Sequence, residues 1–208
     1  GENRSGARLP SLILTAAAGA AFTAALLLSI QSYASQASWD IFGGWDARYL
    51  WNVKARFYAR SSPDWQAMFS PVLRLWVLPD YPLMLPGSVA WGWMLAGREA
   101  LLWPVAVAFS FYLSLIFLLL AYLAVSVSWQ TALIGAAFLA SVSQYRFWSA
   151  VQYADVPTAF FMTGSVFLLV LAFRNKVKSW TALAGYLAGM AAWTKNEGFL
   201  FVFLSVLL

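Results

Sequence analysis

Long apolar runs, separated by short polar breaks, are the dominant pattern of the chain. Segments 9–34 and 100–145 contain no charged residue. Runs of this length are typical of membrane-spanning helices, because a helix needs about 20 apolar residues to cross a bilayer. The pattern therefore predicts membrane spans at about 9–34, 101–124, 131–147, 156–173, 179–194 and 198–208.

The segment 35–100 departs from this pattern, because it combines charged residues with most of the 12 tryptophans. Tryptophan prefers the membrane–water interface. Residues 45–60 have the spacing of an amphipathic helix, with a polar ridge formed by Arg48, Asn52, Arg56 and Arg60. Residues 87–97 are too few to cross a hydrocarbon core of about 30 Å at about 1.5 Å per residue. We expect both segments to be interfacial helices in one long outer loop.

Polar and proline-rich stretches predict where these helices end. We expect the amphipathic helix to stop at Ser61–Asp64. The prolines between Leu78 and Pro86 disfavour a regular helix until after Pro86. We expect the polar stretch Ser126–Gln130 to separate the two spans of the long charge-free run.

Composition supports an all-α integral membrane protein, built as a multi-span helix bundle. Of the 208 residues, 62% are apolar and 10% are charged, whereas soluble domains usually carry about 25% charged residues. Cysteine and histidine are absent, which excludes a disulfide framework, a thiolate metal site and a histidine general base. Acid–base chemistry would fall to Asp, Glu, Lys or Tyr. The net charge of +5 points to topology and anionic lipid rather than to nucleic acid.

Basic residues predict which side of the membrane each loop occupies. Arg4 and Arg8 precede the first span, and 174–178 is the most basic short loop, so the positive-inside rule places both in the cytoplasm. The loop 35–100 then lies outside, together with Asp155 and Lys195, provided that residues 87–97 do not cross. The chain stops at Leu208 within an apolar run. We therefore expect residues 1–208 to be the N-terminal part of one longer membrane module.

Two aspartates are candidate catalytic carboxylates, and each also has an ordinary structural interpretation. Asp46 follows Gly43 and Gly44 in the most charged part of the outer loop. It could instead be a first-turn carboxylate of the helix, and Asp40 competes with it for a catalytic role. Asp155 precedes a span, where aspartate is a common N-cap.

The outer side also carries more basic residues than membrane proteins usually place there. They are Arg48, Lys54, Arg56, Arg60, Arg74 and Arg98. Arginine binds phosphate bidentately, so an anionic ligand at the interface is one explanation. The other is that these residues solvate an amphipathic helix and meet anionic head groups. Lys195 and Glu197 likewise form either part of a site or a tight exposed turn.

Four short motifs, in this order, resemble those of the GT-C membrane glycosyltransferases. The resemblance is to bacterial members such as protein mannosyltransferases and the aminoarabinose lipid A transferase. The motifs are Gly44-Trp45-Asp46-Ala47, Asp80-Tyr81-Pro82-Leu83, Gln152-Tyr153-Ala154-Asp155-Val156-Pro157 and Trp193-Thr194-Lys195-Asn196-Glu197-Gly198. The resemblance covers nearly the whole chain.

The resemblance implies a glycosyltransferase of the bacterial inner membrane. It would move a sugar from a polyprenyl-phosphate donor to a lipid or glycan acceptor at the outer face. Asp46 and Asp155 are the implied catalytic residues. The candidate substrate-binding residues are Lys195, Arg56, Arg60, Glu197 and Tyr81.

Two questions stay open at this point. Many relatives have an acidic pair in the first loop, whereas Ala47 follows Asp46, so a divalent cation remains an open choice of cofactor. The alternative function is a transporter or lipid flippase without chemistry, which usually binds its substrate between discontinuous helices near the membrane midplane.

Overall fold

The computed structural model describes residues 8–60 and 64–207, and only the backbone of residues 8–10, 75 and 76. All secondary structure in these ranges is helical. The α-helices are α1 Arg8–Trp39, α2 Asn52–Arg60, α3 Arg74–Val77, α4 Met84–Ala96, α5 Leu102–Ser126, α6 Trp129–Ser141, α7 Ser143–Ala150, α8 Asp155–Asn175, α9 Lys178–Thr194 and α10 Asn196–Leu207. A π-helical stretch, Ala47–Trp51, leads into α2, and 3-10 turns at Asp64–Phe69 and Pro71–Leu73 lead into α3.

Three helices are long and apolar enough to cross a membrane. They are α1 from Ser11 onward, α5 and α8. This finding suggests a membrane protein, and it confirms the predicted all-α class. The predicted spans 179–194 and 198–208 correspond to α9 and α10, which are shorter helices of 17 and 12 residues. Arg4, the predicted helix stop at residues 61–63 and the predicted end at Leu208 lie outside the described residues.

The predicted span 131–147 is not one continuous helix. The chain leaves helical geometry at Val142, where ψ is 111°, and forms α6 and α7 on either side. The carbonyls at the end of α6 are bonded by side chains, as free helix ends require. Arg146 donates from Nη1 to the Ala140 and Ser141 oxygens at 3.2 and 3.0 Å. Ser29 of α1 donates to the Ala140 oxygen at 2.6 Å, so the break is held from two sides.

The other long helices are arranged around α5. On one side α5 packs against α1, α6 and α7 through a core that includes Tyr33, Tyr112 and Ala136. On the other side it packs against α8, which lies against α9, and α10 follows. Arg174, at the end of α8, donates to the Ser126 oxygen at the end of α5, at 2.9 Å. The starts of α8 and α10 therefore lie at the same end of the bundle as the end of α9.

Helix α4 is fixed by two tryptophans at that same end. Trp93 Nε1 donates to the Ala100 oxygen, and Trp103 Nε1 donates to the Ser88 oxygen, both at 3.0 Å. The helix begins at Met84, earlier than predicted, because Pro86 falls within its first turn, where a missing N–H costs little. A side chain at position 92 would overlap the Trp103 indole. Gly92 thus permits the close contact between α4 and α5.

Replacing Gly92 with alanine should destabilise the bundle, because the added methyl group has to displace the Trp103 ring. Overpacking of this kind costs about 1–3 kcal/mol. Thermal unfolding of the purified chain in detergent measures the effect. Gly87→Ala, on the same helix, is the matched control, since a methyl group there meets nothing within 4 Å. Equal midpoints for the two variants would contradict the contact.

Candidate functional site

Gly43 and Gly44 bring the segment before Asp46 directly onto the turn before α8. Gly43 has a φ of 73°, in the left-handed region that favours glycine, and a Cβ there would lie 2.8 Å from the Val151 oxygen. The Gly44 amide donates to that same oxygen at 2.9 Å. A Cβ on Gly44 would lie 2.7 Å from the ring of Tyr153. The absence of side chains therefore allows the backbone contact that positions Asp46.

Gln152 forms a second link between the same two segments. It is buried, with 4% of its surface exposed, and its φ of 62° is unusual for a residue other than glycine. Its Nε2 donates to the Ile41 oxygen at 3.0 Å, and its Oε1 accepts from Asn52 at 3.4 Å. Sequence reasoning used Gln152 only as part of a motif and gave it no role of its own.

Asp155, Lys195 and Glu197 form one ion-pair cluster beside this contact. Lys195 Nζ lies 2.9 Å from Asp155 Oδ1 and 3.1 Å from Glu197 Oε1. Lys195 is the least exposed of the three, with 17% of its side chain accessible. It lies between α9 and α10, where Gly198 packs so closely on Ala191 that a Cβ would overlap it. The sharp turn holds the ammonium group against Asp155.

The charges of this cluster reach Asp46. Burial raises the pKa of the half-buried Asp46 carboxyl, the negative charge of Asp155 raises it further, and Lys195 opposes both. Burial alone would lower the pKa of Lys195, but its two carboxylate partners together raise that pKa. Asp46, Asp155 and Lys195 therefore share one electrostatic environment. Their chemical roles remain predictions.

The structural alternatives for the two aspartates can be compared with the contacts they make. Asp46 lies at the start of its helix, but its side chain makes no capping hydrogen bond. Asp155 is the first residue of α8, whose N-cap is Ala154, and its carboxylate accepts from Lys195 instead. Asp40, the competing candidate, forms an ion pair with Arg48. Asp46 is thus the carboxylate of the loop with a raised pKa and without a cationic partner at bonding distance among the described residues.

Tyr81 makes its closest described contacts with residues of the segment 35–100. Its ring packs edge-on against Trp51 at 5.6 Å, in an apolar group that also includes Ala154. The Tyr81 carbonyl accepts from Lys54 at 2.9 Å, and the Leu78 carbonyl accepts from the same ammonium at 2.8 Å. Tyr81 therefore belongs to the same apolar group as Ala154, the residue that precedes Asp155 in the sequence.

Lys54 differs from the sequence-based prediction, which treated it as an exposed basic residue. It is fully buried, and burial lowers its pKa to about 8, although the nearby charge of Asp80 opposes this. Its spacing from Leu50 and Trp51, four and three residues earlier, places it on the buried face of the helix. That spacing was the available signal.

Arg56 and Arg60 are not part of the Asp155–Lys195 cluster. Both bind Glu99, which follows α4 and which sequence reasoning did not select. They lie toward the C-terminal end of α2, whereas Asp46 precedes its start. At about 1.5 Å per residue, the separation between Asp46 and Arg60 along the helix is on the order of 20 Å.

The residues of the site do not form a typical binding site for a divalent cation. Within residues 8–60 and 64–207, no group of three or more Asp, Glu, His or Cys side chains is arranged to hold a metal ion. The ammonium of Lys195 already lies at bonding distance from both Asp155 and Glu197.

Comparison with known proteins gives no relative. No protein-family model, curated protein or solved structure matches the chain.

The titration of Asp46 should report its neighbours. Lys195→Gln should raise the pKa of Asp46 further, because the charge that lowers it is removed, and Asp155→Asn should lower that pKa. Infrared titration of the carboxylic acid C=O band measures this, with the Asp46 band identified by its loss in Asp46→Asn. Asp40→Asn is the control and should leave the band in place. An unchanged titration in both Lys195→Gln and Asp155→Asn would show that the groups do not interact.

Proposed function

We propose that the chain is part of a GT-C-type glycosyltransferase. It transfers a hexose or pentose from a polyprenyl-phosphate donor to a hydroxyl group of a lipid or glycan acceptor. The observation that carries the proposal is the convergence of Asp46, Asp155 and Lys195 at one end of the helix bundle. A carboxylate with a raised pKa beside a fixed cation is suited to this reaction, because it places a base next to a group that can receive a phosphate.

Asp46 acts as the general base in this proposal. Its carboxylate takes the proton from the acceptor hydroxyl as that oxygen forms a bond to the anomeric carbon of the sugar. The bond between the anomeric carbon and the donor phosphate oxygen breaks, and the electron pair leaves with the phosphate. A raised pKa makes Asp46 a stronger base than an ordinary aspartate, while it remains ionised above that pKa.

Lys195 receives the departing phosphate in this proposal. Two of its N–H groups face Asp155 and Glu197, which leaves a further N–H for a phosphate oxygen. Negative charge grows on that oxygen as the bond breaks, so a positioned cation stabilises the transition state. Asp155 thereby acts through Lys195, by holding its side chain at the site.

We place the protein in the inner membrane of a bacterium, with this site on the periplasmic or extracellular side. The three long apolar helices support a membrane location. Arg174, Lys176 and Lys178 lie at the bundle end opposite to Asp155, and basic loops favour the cytoplasm. Helix α4 is 13 residues long, about 20 Å, and enters the interface without crossing in this arrangement.

Transfer activity should depend on Asp46 and not on Asp40. Asp46→Asn should reduce transfer of radiolabelled sugar from a polyprenyl-phosphate donor by about 10²–10⁴-fold, the usual contribution of a general base. Asp40→Asn, which removes a carboxylate paired with Arg48, should stay within a few-fold of the parent chain. Gel filtration verifies folding. Full activity in Asp46→Asn would refute the assignment, and sugar movement across vesicles without transfer would favour the transporter.

The orientation can be tested with single cysteines, since the chain has none of its own. A cysteine at the exposed position Arg98 should react with a membrane-impermeant maleimide added to intact cells from the periplasmic side. A cysteine at the exposed position Lys178 is the control and should react only after the membrane is opened. Labelling of Arg98→Cys solely from the cytoplasm would reverse the proposed arrangement.

A further inference from the structure

Arg56 and Arg60 are held by one carboxylate in an arrangement that leaves most of their donors free. Glu99 Oε2 accepts from Arg56 Nε at 3.1 Å, and Glu99 Oε1 accepts from Arg60 Nε. Burial raises the pKa of Glu99, but the hydrogen bonds and charges of the two arginines outweigh this and hold the pKa below its usual value. Glu99 is therefore an ionised anchor for two guanidinium groups.

The terminal amino groups of both arginines are not used by this anchor. Among residues 8–60 and 64–207, no acceptor bonds to Nη1 or Nη2 of Arg56 or Arg60. The Arg56 guanidinium lies over the ring of Trp93, with its Cζ 5.9 Å from the ring centroid, which restricts its plane further. Two fixed forks of unpaired N–H groups match the geometry of a phosphate group, since a guanidinium binds phosphate through parallel bonds.

The surroundings favour an anion. A cleft of about 400 Å³ lies between α2 and the end of α4, lined by Arg60, Trp93, Arg98 and Glu99 among others. Arg60 and Arg98 line this cleft together with the Glu99 carboxylate, and Arg56 binds the same carboxylate from outside the cleft lining, so the local charge of the group is positive. Such an excess attracts an anionic group, and the half-buried position of Glu99 limits screening by solvent.

The surface next to the cleft is apolar, which identifies the source of the phosphate. Met94 and Leu95 at the end of α4 and Leu102 at the start of α5 are exposed. An inorganic phosphate would gain nothing from these side chains. A phospholipid would place its phosphate on the arginines and its acyl chains along the apolar surface, so both parts would be matched.

We propose that Arg56 and Arg60, fixed by Glu99, bind the phosphate of an anionic membrane phospholipid. This site is separate from the Asp46–Asp155–Lys195 site, because α2 places the two on the order of 20 Å apart. Its function is to hold the end of α2 and α4 at the membrane surface. The proposal needs a lipid bilayer but not the sugar-transfer reaction.

Native mass spectrometry of the whole 208-residue chain in detergent tests the proposal. Phosphatidylglycerol is titrated against the parent chain, and phosphatidylcholine, whose own cation competes with the arginines, should bind more weakly. The double variant Arg56→Gln/Arg60→Gln should bind phosphatidylglycerol at least about tenfold more weakly. The matched control is Arg74→Gln/Lys178→Gln, which removes the same charge from other exposed positions and should bind as the parent chain does.

A second variant separates a shaped site from simple charge attraction. Arg56→Lys/Arg60→Lys keeps both charges but loses the planar forks, so it should also lose most of the affinity. Parent-like binding by this variant, or equal losses in the Arg74/Lys178 control, would overturn the proposal. If Arg56→Gln/Arg60→Gln does not fold in a thermal unfolding test, the lysine variant decides.

A competition arm distinguishes the source of the phosphate. Millimolar inorganic phosphate or glycerol 3-phosphate should not displace phosphatidylglycerol from the parent chain. Displacement at concentrations comparable to the lipid would show a site for a small soluble phosphate and would refute the lipid assignment. Lipid binding is measured on Arg56 and Arg60, whereas the sugar-transfer proposal is tested on Asp46, so the two can fail independently.

Discussion

The chain around Gly43 and Gly44 can lie on the turn before α8 only because neither residue has a side chain. One backbone contact, from the Gly44 amide to the Val151 oxygen, thus sets the relative position of two distant parts of the sequence. Gln152 fixes the same contact from the other side. Since Asp46 follows one of these segments and Asp155 follows the other, their separation is set by backbone geometry rather than by flexible side chains.

The electrostatics of the site involve a cost in stability. A carboxyl group whose pKa is higher in the folded than in the unfolded chain contributes stability below its unfolded pKa and loses it as the pH rises through the folded value. Asp46 is such a group, since burial and the charge of Asp155 raise its pKa. At neutral pH it therefore opposes folding slightly. Groups that oppose folding are common where a protein has a site to maintain.

Charge-free runs were sufficient to predict α1, α5 and α8, because length and apolar composition determine such helices. The break at Val142 was missed, although Ser141, Ser143 and Gln144 form a polar stretch similar to Ser126–Gln130. The burial of Lys54 was missed because its carbonyl partners come from a later loop. Counting helix directions predicted that Asp46 and Asp155 lie on the same side of the membrane. The role of Gln152 could not be predicted, because its identity does not indicate the left-handed backbone that it adopts.

The π-helical stretch Ala47–Trp51 has a consequence for how the two ends of this helix are oriented. A π turn contains one residue more than an α turn, and each residue of an α-helix advances the direction of its side chain by about 100°. The extra residue therefore sets the angle at which Arg56 and Arg60 leave the helix relative to Asp46. The helix can therefore present Asp46 to the bundle at its start, and Arg56 and Arg60 to Glu99 at its end. The rotation of side chains about the helix axis, and not only the helix length, determines which neighbours each end meets.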